Sequence, residues 1–474
     1  MPECVSSCKG LEESNCVNRC SYVNNKYCRL KSTFKMVKPR CNVVKKITTK
    51  REGAKTIGKF MKKTTFKRKA HYLKTLCADS GACFAFGTEI KRLMSFFEFN
   101  TFKYIKPPLR NLGGVSANGF VKEIEYEREG YKAYAALKSS LRASADNLAY
   151  EYLVGEYINE QAKRVPCFID TYGLFKYTST IQQERVKTNH LDLSTLVPIK
   201  PYQFNTVCQY SKLICVLTQH IPNATSMHSM AKSTSFLMHD AIYAYYQVYF
   251  TLHQLRHTFT HYDLHGQNVL LYIPVVDGYI QYHYHLPSGD VIFKTKYMVK
   301  IIDYGRSFFP GAKNYYHMGL CQTPECNLGV PYNCGASQGL SWLDQNPADR
   351  SSYYINSLYK NESHDLRLLK YCYEHFYDHR IAPHIQKAYF LNNYPEVTPL
   401  FDLFEQVTYL DTYGTPENLR HESNKINNVS DAELRFRHLI QQNVRENDEH
   451  YASSNKIGTL HIYTDGRPIR FEKS

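Results

Sequence analysis

The chain has 474 residues, 43% hydrophobic and 14% aromatic with 40 Tyr and 25 Phe; this suffices for one large domain or two to three smaller ones and excludes a wholly disordered or fibrous protein. Lys and Arg number 59 against 43 acidic side chains, a net charge of +16, but the excess is local: residues 31–74 hold sixteen basic side chains against the single acid Glu52, so residues 75–474 carry no net charge. No stretch reaches the roughly 18 consecutive apolar residues of a membrane helix. The N-terminus lacks the pattern of a secretory signal, and Pro2 stands where N-myristoylation requires a glycine, so the expectation is a soluble, intracellular, cytoplasmic protein.

Residues 1–30 form a Cys-rich segment in which Cys4, Cys8, Cys16 and Cys20 read C-x3-C-x7-C-x3-C. Paired thiolates at this spacing can offer sulfur to a tetrahedral Zn²⁺, and the same spacing suits disulfides or unligated thiols. The basic arm follows, over residues 31–75. It is too poor in apolar periodicity to pack alone, and its charge suits the phosphates of nucleic acid or another acidic surface; a solvated linker or a localisation signal is the plainer alternative.

From about residue 84 the pattern becomes globular. Residues 112–140 alternate as strands do, and 146–164 read as an amphipathic helix ended by Pro166. A short apolar strand is expected at 213–218. One long helix is expected over 234–258, where Leu237, Ala241, Tyr245, Val248, Leu252 and Leu255 recur at helical spacing. Strands follow around Val269–Ile273 and Val299–Ile302, with a β-hairpin between them turning at Pro-Ser-Gly-Asp. Cys321, Cys326 and Cys334 lie in a Gly/Pro/Asn-rich stretch that reads as a loop. A helix at 430–445 and an extended tail end the chain. The fold class is α+β.

The chemistry concentrates in two motifs. Residues 261–268 read His-Tyr-Asp-Leu-His-Gly-Gln-Asn before an apolar strand, and residues 299–305 read Val-Lys-Ile-Ile-Asp-Tyr-Gly. An Asp and an Asn five apart on a tight loop can aim a carboxylate at a hydroxyl and an amide oxygen at a cation. A second Asp at a strand end adds a hard oxygen ligand, and Mg²⁺ favours such a sparse set completed by water and phosphate.

These motifs resemble the H-R-D-L-x-x-x-N and D-F-G of the protein kinase superfamily. The resemblance implies a bilobal fold, β-rich N-lobe at 76–217 and mainly helical C-lobe at 218–415 with a hairpin inserted near 274–298, followed by a C-terminal helix and tail at 416–474. It implies ATP and Mg²⁺ as cofactors and a serine/threonine protein as substrate. Asp263 would be the catalytic base, Asn268 and Asp303 the Mg²⁺ ligands, and Gly305 the turn that lets Asp303 face the phosphates. Upstream, Gly114, Ser116, Gly119 and Val121 match the phosphate-covering loop G-x-G-x-x-G-x-V, with Ser116 at the middle glycine. Lys138, in Ala-Ala-Leu-Lys, would contact the α- and β-phosphates. Its ion-pair partner would be Glu151, whose helical face carries Leu148, Gly155 and Ile158, in preference to Glu156. Leu217 to Ile221, including Gln219, would be the backbone segment that meets adenine, and Asp365 would brace the catalytic loop.

Several positions depart from that pattern. Tyr262 stands for the usual Arg and His265 for the usual Lys, thirty-five residues separate Asn268 from Asp303, and no A-P-E precedes Asp365. The whole most resembles the serine/threonine kinases of large cytoplasmic DNA viruses, the iridovirus type especially. Two alternatives stay open: a small-molecule phosphotransferase, since H-x-D-x-H-x-x-N also resembles aminoglycoside-kinase-type enzymes, and a pseudokinase scaffold that binds a polyanion through the arm at 31–74.

Overall fold

Two strands of two residues each, β1 (Leu76–Cys77) and β2 (Cys83–Phe84), pair antiparallel, and the directly opposed Cys77 and Cys83 form a disulfide. A computed structural model describes residues 75–113, 119–141, 148–190, 193–312, 357, 360–369, 388, 390–407 and 424–474. These fall within one compact unit, Lys74–Ser474. The Cys-rich segment, the basic arm and the Cys321/Cys326/Cys334 cluster lie outside the described residues.

Helix α1 (Glu89–Phe97) turns its Leu93, Phe96 and Phe97 inward. Strands β3 (Ile105–Asn111), β4 (Gly119–Arg128) and β5 (Tyr131–Ser140) then run as an antiparallel meander. Helix α2 (Leu148–Gln161) leads into β6 (Thr171–Lys176), helix α3 (Thr180–Lys187), β7 (Val197–Pro198) and β8 (Ile214–Gln219). The result is a six-stranded, wholly antiparallel sheet ordered β3-β4-β5-β8-β6-β7. Alternation explains β4: Phe120, Ile124 and Tyr126 face the core. Lys122 breaks that apolar run yet is buried, its ammonium donating to the Asn111 side chain, the Lys187 carbonyl at 2.6 Å and Asn189 Oδ1 at 2.6 Å. Burial lowers its pKa, and three acceptors compensate for the lost water.

Helix α2 lies tight against β6. A Cβ built on Gly155 would come within 2.1 Å of Thr171 Oγ1 and 2.8 Å of Thr171 Cβ, so the helix can approach the strand this closely only with glycine there.

The second half opens with β9 (Thr225–Ser226) and helix α4 (Met227–Met230). The single helix expected over 234–258 is instead two, α5 (Thr234–His239) and α6 (Ala241–Leu255), broken at Asp240. The buried Asp240 carboxylate accepts hydrogen bonds from Thr295 Oγ1 at 3.2 Å and from the Tyr451 hydroxyl. These tertiary bonds hold the residue at φ −126°, off the helical track. Helix α6 is buried nearly all round, the pattern of a helix in the middle of a core.

Strands β10 (Val269–Tyr272) and β13 (Met298–Ile301) pair antiparallel, with β9 on the other side of β10. Between them β11 (Gly278–His285) and β12 (Val291–Thr295) form the expected hairpin. After α7 (Thr398–Glu405) come α8 (Val429–Gln442), α9 (Val444–His450), β14 (Asn455–Tyr463) and β15 (Arg470–Lys473). The expected extended tail is thus a pair of strands: β14 lies parallel to β11, completing a sheet ordered β12-β11-β14-β15. Phe436 of α8 stacks on Tyr245 and Tyr249 of α6, ring centroids 5.4 and 5.8 Å apart. The fold is mixed α+β, and among the described residues no helix is long and apolar enough to cross a membrane.

Candidate functional site

Lys138 sits on β5 opposite Val121 of β4 and Val216 of β8. Its ammonium donates to Glu151 Oε2 at 2.8 Å and to Asp303 Oδ1 at 3.1 Å. One cation therefore ties β5, the first turn of α2 and the strand end after β13, groups up to 165 residues apart in sequence. Glu151 is buried, whereas Glu156 faces Asn159 at 3.3 Å. The charge of Lys138 holds the Asp303 carboxyl below the usual carboxylate range. The Asp303 side chain remains 43% exposed, open to a further cation or to solvent.

The loop at 261–268 is stitched to the segment after β13. His261 Nε2 donates to the Ile302 carbonyl at 3.0 Å, while its Nδ1 accepts from the Asp263 amide at 3.2 Å. The Ile302 amide donates to the Asn268 carbonyl at 3.0 Å, and Asn268 Nδ2 to the Asp263 carbonyl at 2.9 Å. The loop is thus tied to the segment just before Asp303 by the His261 ring and by the backbone of Asn268 and Ile302, while the Asn268 amide closes the loop on itself. From below, the buried carboxylate of Asp365 accepts from the amides of His261 at 2.7 Å and Tyr262 at 3.0 Å. That brace matters because Tyr262 and Asp303 both occupy the left-handed region, at φ 63° and 68°. For a buried tyrosine this conformation costs on the order of 1–3 kcal/mol and persists only where neighbours impose it.

Two basic groups approach the Asp263 carboxylate: the fully buried Arg367 donates from Nη1 to Oδ1 at 3.2 Å, and Arg306 Nε lies 3.9 Å from Oδ2. Sequence reasoning singles out neither. Arg367 stands two residues after Asp365, in a run whose aspartate alone carries a motif. His265 Nε2 lies 3.9 Å from Asp263 Oδ1. Burial, outweighing the attraction of Asp263, pushes the His265 pKa down to about 4. The folded protein therefore binds fewer protons at this group than the unfolded chain between about pH 6.5 and 4, so its contribution to stability is complete above that window and is lost as pH falls through it. The expected result is an unfolding midpoint that declines from pH 6.5 towards 4, with a shallower decline in His265→Asn. A calorimetric pH series on both proteins checks this, and parallel curves would exclude His265 as the source.

The remaining candidates divide. Val121 flanks Lys138 in the sheet. Gly119 opens β4, where a Cβ would meet the Ser139 carbonyl at 2.1 Å, so glycine there serves strand–strand approach. Leu217 and Gln219 are buried in β8 and committed to the sheet: Leu217 pairs with Leu137 and Gly173, the Gln219 amide donates to the Asp170 carbonyl at 2.7 Å, and the His220 amide to the Tyr134 carbonyl at 2.9 Å. Those amides are already used internally. At Gly305 a Cβ would meet nothing closer than 3.9 Å, so the turn that orients Asp303 resides in the φ of Asp303 itself. Gly114, Ser116, Cys4, Cys8, Cys16 and Cys20 lie outside the described residues.

Chemically, the arrangement offers a lysine held between two carboxylates, one of them half exposed, and a third carboxylate, Asp263, positioned on a braced loop. Asp303 and Asn268 can supply hard oxygen ligands of the kind Mg²⁺ takes, and Lys138 can turn to an anion. No protein-family model matches the chain, and no curated protein sequence matches it.

Proposed function

We propose that the chain is a Mg²⁺-dependent ATP:protein phosphotransferase, a serine/threonine protein kinase with the bilobal architecture of that superfamily and similar to those of large cytoplasmic DNA viruses. In this reading the six-stranded sheet with α2 forms the β-rich lobe, and α5, α6 and α8 form the helical one. The observation that carries it is the ion-pair chain Glu151–Lys138–Asp303, made by β5, α2 and the segment after β13, together with the loop before Asp263, whose His261 and Tyr262 amides are held by Asp365.

Mg²⁺, held by Asp303 and Asn268, would neutralise charge on the β- and γ-phosphates. Lys138, kept extended by Glu151, holds the α- and β-phosphates. Asp263 accepts the proton of the substrate hydroxyl as that oxygen attacks in line. Adenine would dock on the backbone of the segment Leu217 to Ile221 through groups other than the Gln219 and His220 amides, which are engaged. The basic segment 31–74 is proposed to contact a polyanion separately.

His265 beside Asp263 favours a second reading, phosphorylation of a small alcohol by an aminoglycoside-kinase-type enzyme. Incubating the full chain with Mg²⁺, γ-labelled ATP and generic protein substrates separates the two. Label on protein, lost in Asp303→Ala, supports the first; label confined to small alcohols supports the second. ATP binding without transfer to either would leave the scaffold reading standing and sink both.

A further inference from the structure

Away from that site, strand alternation on β11 turns Ile280, Tyr282 and Tyr284 into the core and leaves His283 and His285 together on the other face. The parallel register with β14 sets His461 directly beside His283. One potential ligand atom from each of the three side chains lies within 4.8 Å of the others. The His283 and His285 rings are 3.8 Å apart between centroids, and His285 Nε2 lies 3.1 Å from His461 Nδ1. Tyr463 stacks on His285, ring centroids 4.7 Å apart.

Carboxylates face the outer nitrogens. Asp290 Oδ2 lies 2.5 Å from His283 Nε2 and 3.4 Å from His285 Nδ1, and Glu472 Oε2 lies 3.5 Å from His461 Nε2. This leaves Nδ1 of His283, Nε2 of His285 and Nδ1 of His461 as the inward set. A carboxylate behind each imidazole is the usual support of a metal-bound histidine, because it fixes the ring and raises its basicity.

We propose that His283, His285 and His461 form a binding site for a divalent transition-metal ion of the zinc class, with Asp290 and Glu472 orienting the rings. The imidazoles offer borderline nitrogen donors, which suit Zn²⁺ and exclude Mg²⁺ or Ca²⁺ as the intended ion. Three nitrogens around a tetrahedral Zn²⁺ lie about 3.4 Å apart, so only small side-chain rotations are needed. The ion would pin β14 to the hairpin β11–β12, a stabilising role independent of phosphoryl transfer.

The test is equilibrium dialysis of the full chain, stripped of metal, against Zn²⁺, in parallel with the double variant His285→Gln/His461→Gln. Both proteins keep every cysteine, so zinc bound by thiols is common to them. The wild type should take up one more equivalent per chain, with an unfolding midpoint that rises on adding Zn²⁺ in the wild type alone. Asp290→Asn, which keeps all three imidazoles, should weaken the extra equivalent about 10- to 100-fold and serves as readout if the double variant does not fold. Equal uptake and equal midpoints across wild type and variants would overturn the proposal.

Discussion

Replacing Asp263 by asparagine is expected to lower kcat by on the order of 10²–10⁴, the usual contribution of a positioned general base, with ATP affinity nearly unchanged. Asparagine keeps an oxygen where Arg367 donates at 3.2 Å, so the fold should be retained. Asp263→Ala removes that acceptor from a fully buried guanidinium and is expected to cost about 1–3 kcal/mol of stability as well. Comparing steady-state rates and unfolding midpoints of the two variants separates the chemical role from the packing role. An asparagine variant that turns over like the wild type would remove Asp263 from the mechanism.

The second large effect is expected at Asp365. Its carboxylate accepts from two buried amides, so Asp365→Ala strands both, at roughly 2–6 kcal/mol in total. It also lets Tyr262 leave its left-handed conformation, which shifts Asp263 one residue on. A displacement of about 1 Å at a reacting group can cost 10²-fold, so kcat should fall steeply while KM for ATP, governed by Lys138, moves little. Asp365→Asn, which keeps one acceptor oxygen, should retain part of both. Chemical denaturation with parallel kinetics provides the readout; an alanine variant as stable and as active as the parent would show that the loop needs no such support.

Much of this arrangement is legible in the amino acids because the signals are local. The alternation at 112–140, the apolar run at 213–218 and the hairpin turn at Pro-Ser-Gly-Asp each depend on neighbours within a few residues, and β4, β5, β8, β11 and β12 follow from them. What could not be read depends on contacts across the chain. The break at Asp240 is imposed by Thr295 and Tyr451, invisible in a run of helical periodicity. The tail 455–474 is long enough for strands, but its pairing depends on the edge of β11, about 180 residues earlier, which a local pattern does not reveal. Arg367 is an ordinary helix former in sequence and becomes part of the site only because the turn at His364–Leu366 carries it under Asp263. The left-handed backbone belongs to Asp303 and not to the glycine two positions later, the residue type that sequence statistics favour for it.

The parallel pairing of β11 with β14 also bears on how the molecule is made. Gly278 meets Asn455 in that register, so the middle of the sheet cannot be completed until synthesis has passed Tyr463. Until then one edge of β11 has no hydrogen-bonding partner, and exposed edges of this kind are templates for association between nascent chains. Contacts this remote in sequence also slow folding, since loop closure precedes any gain from them. The order of synthesis thus leaves that edge of β11 open until β14 has been made.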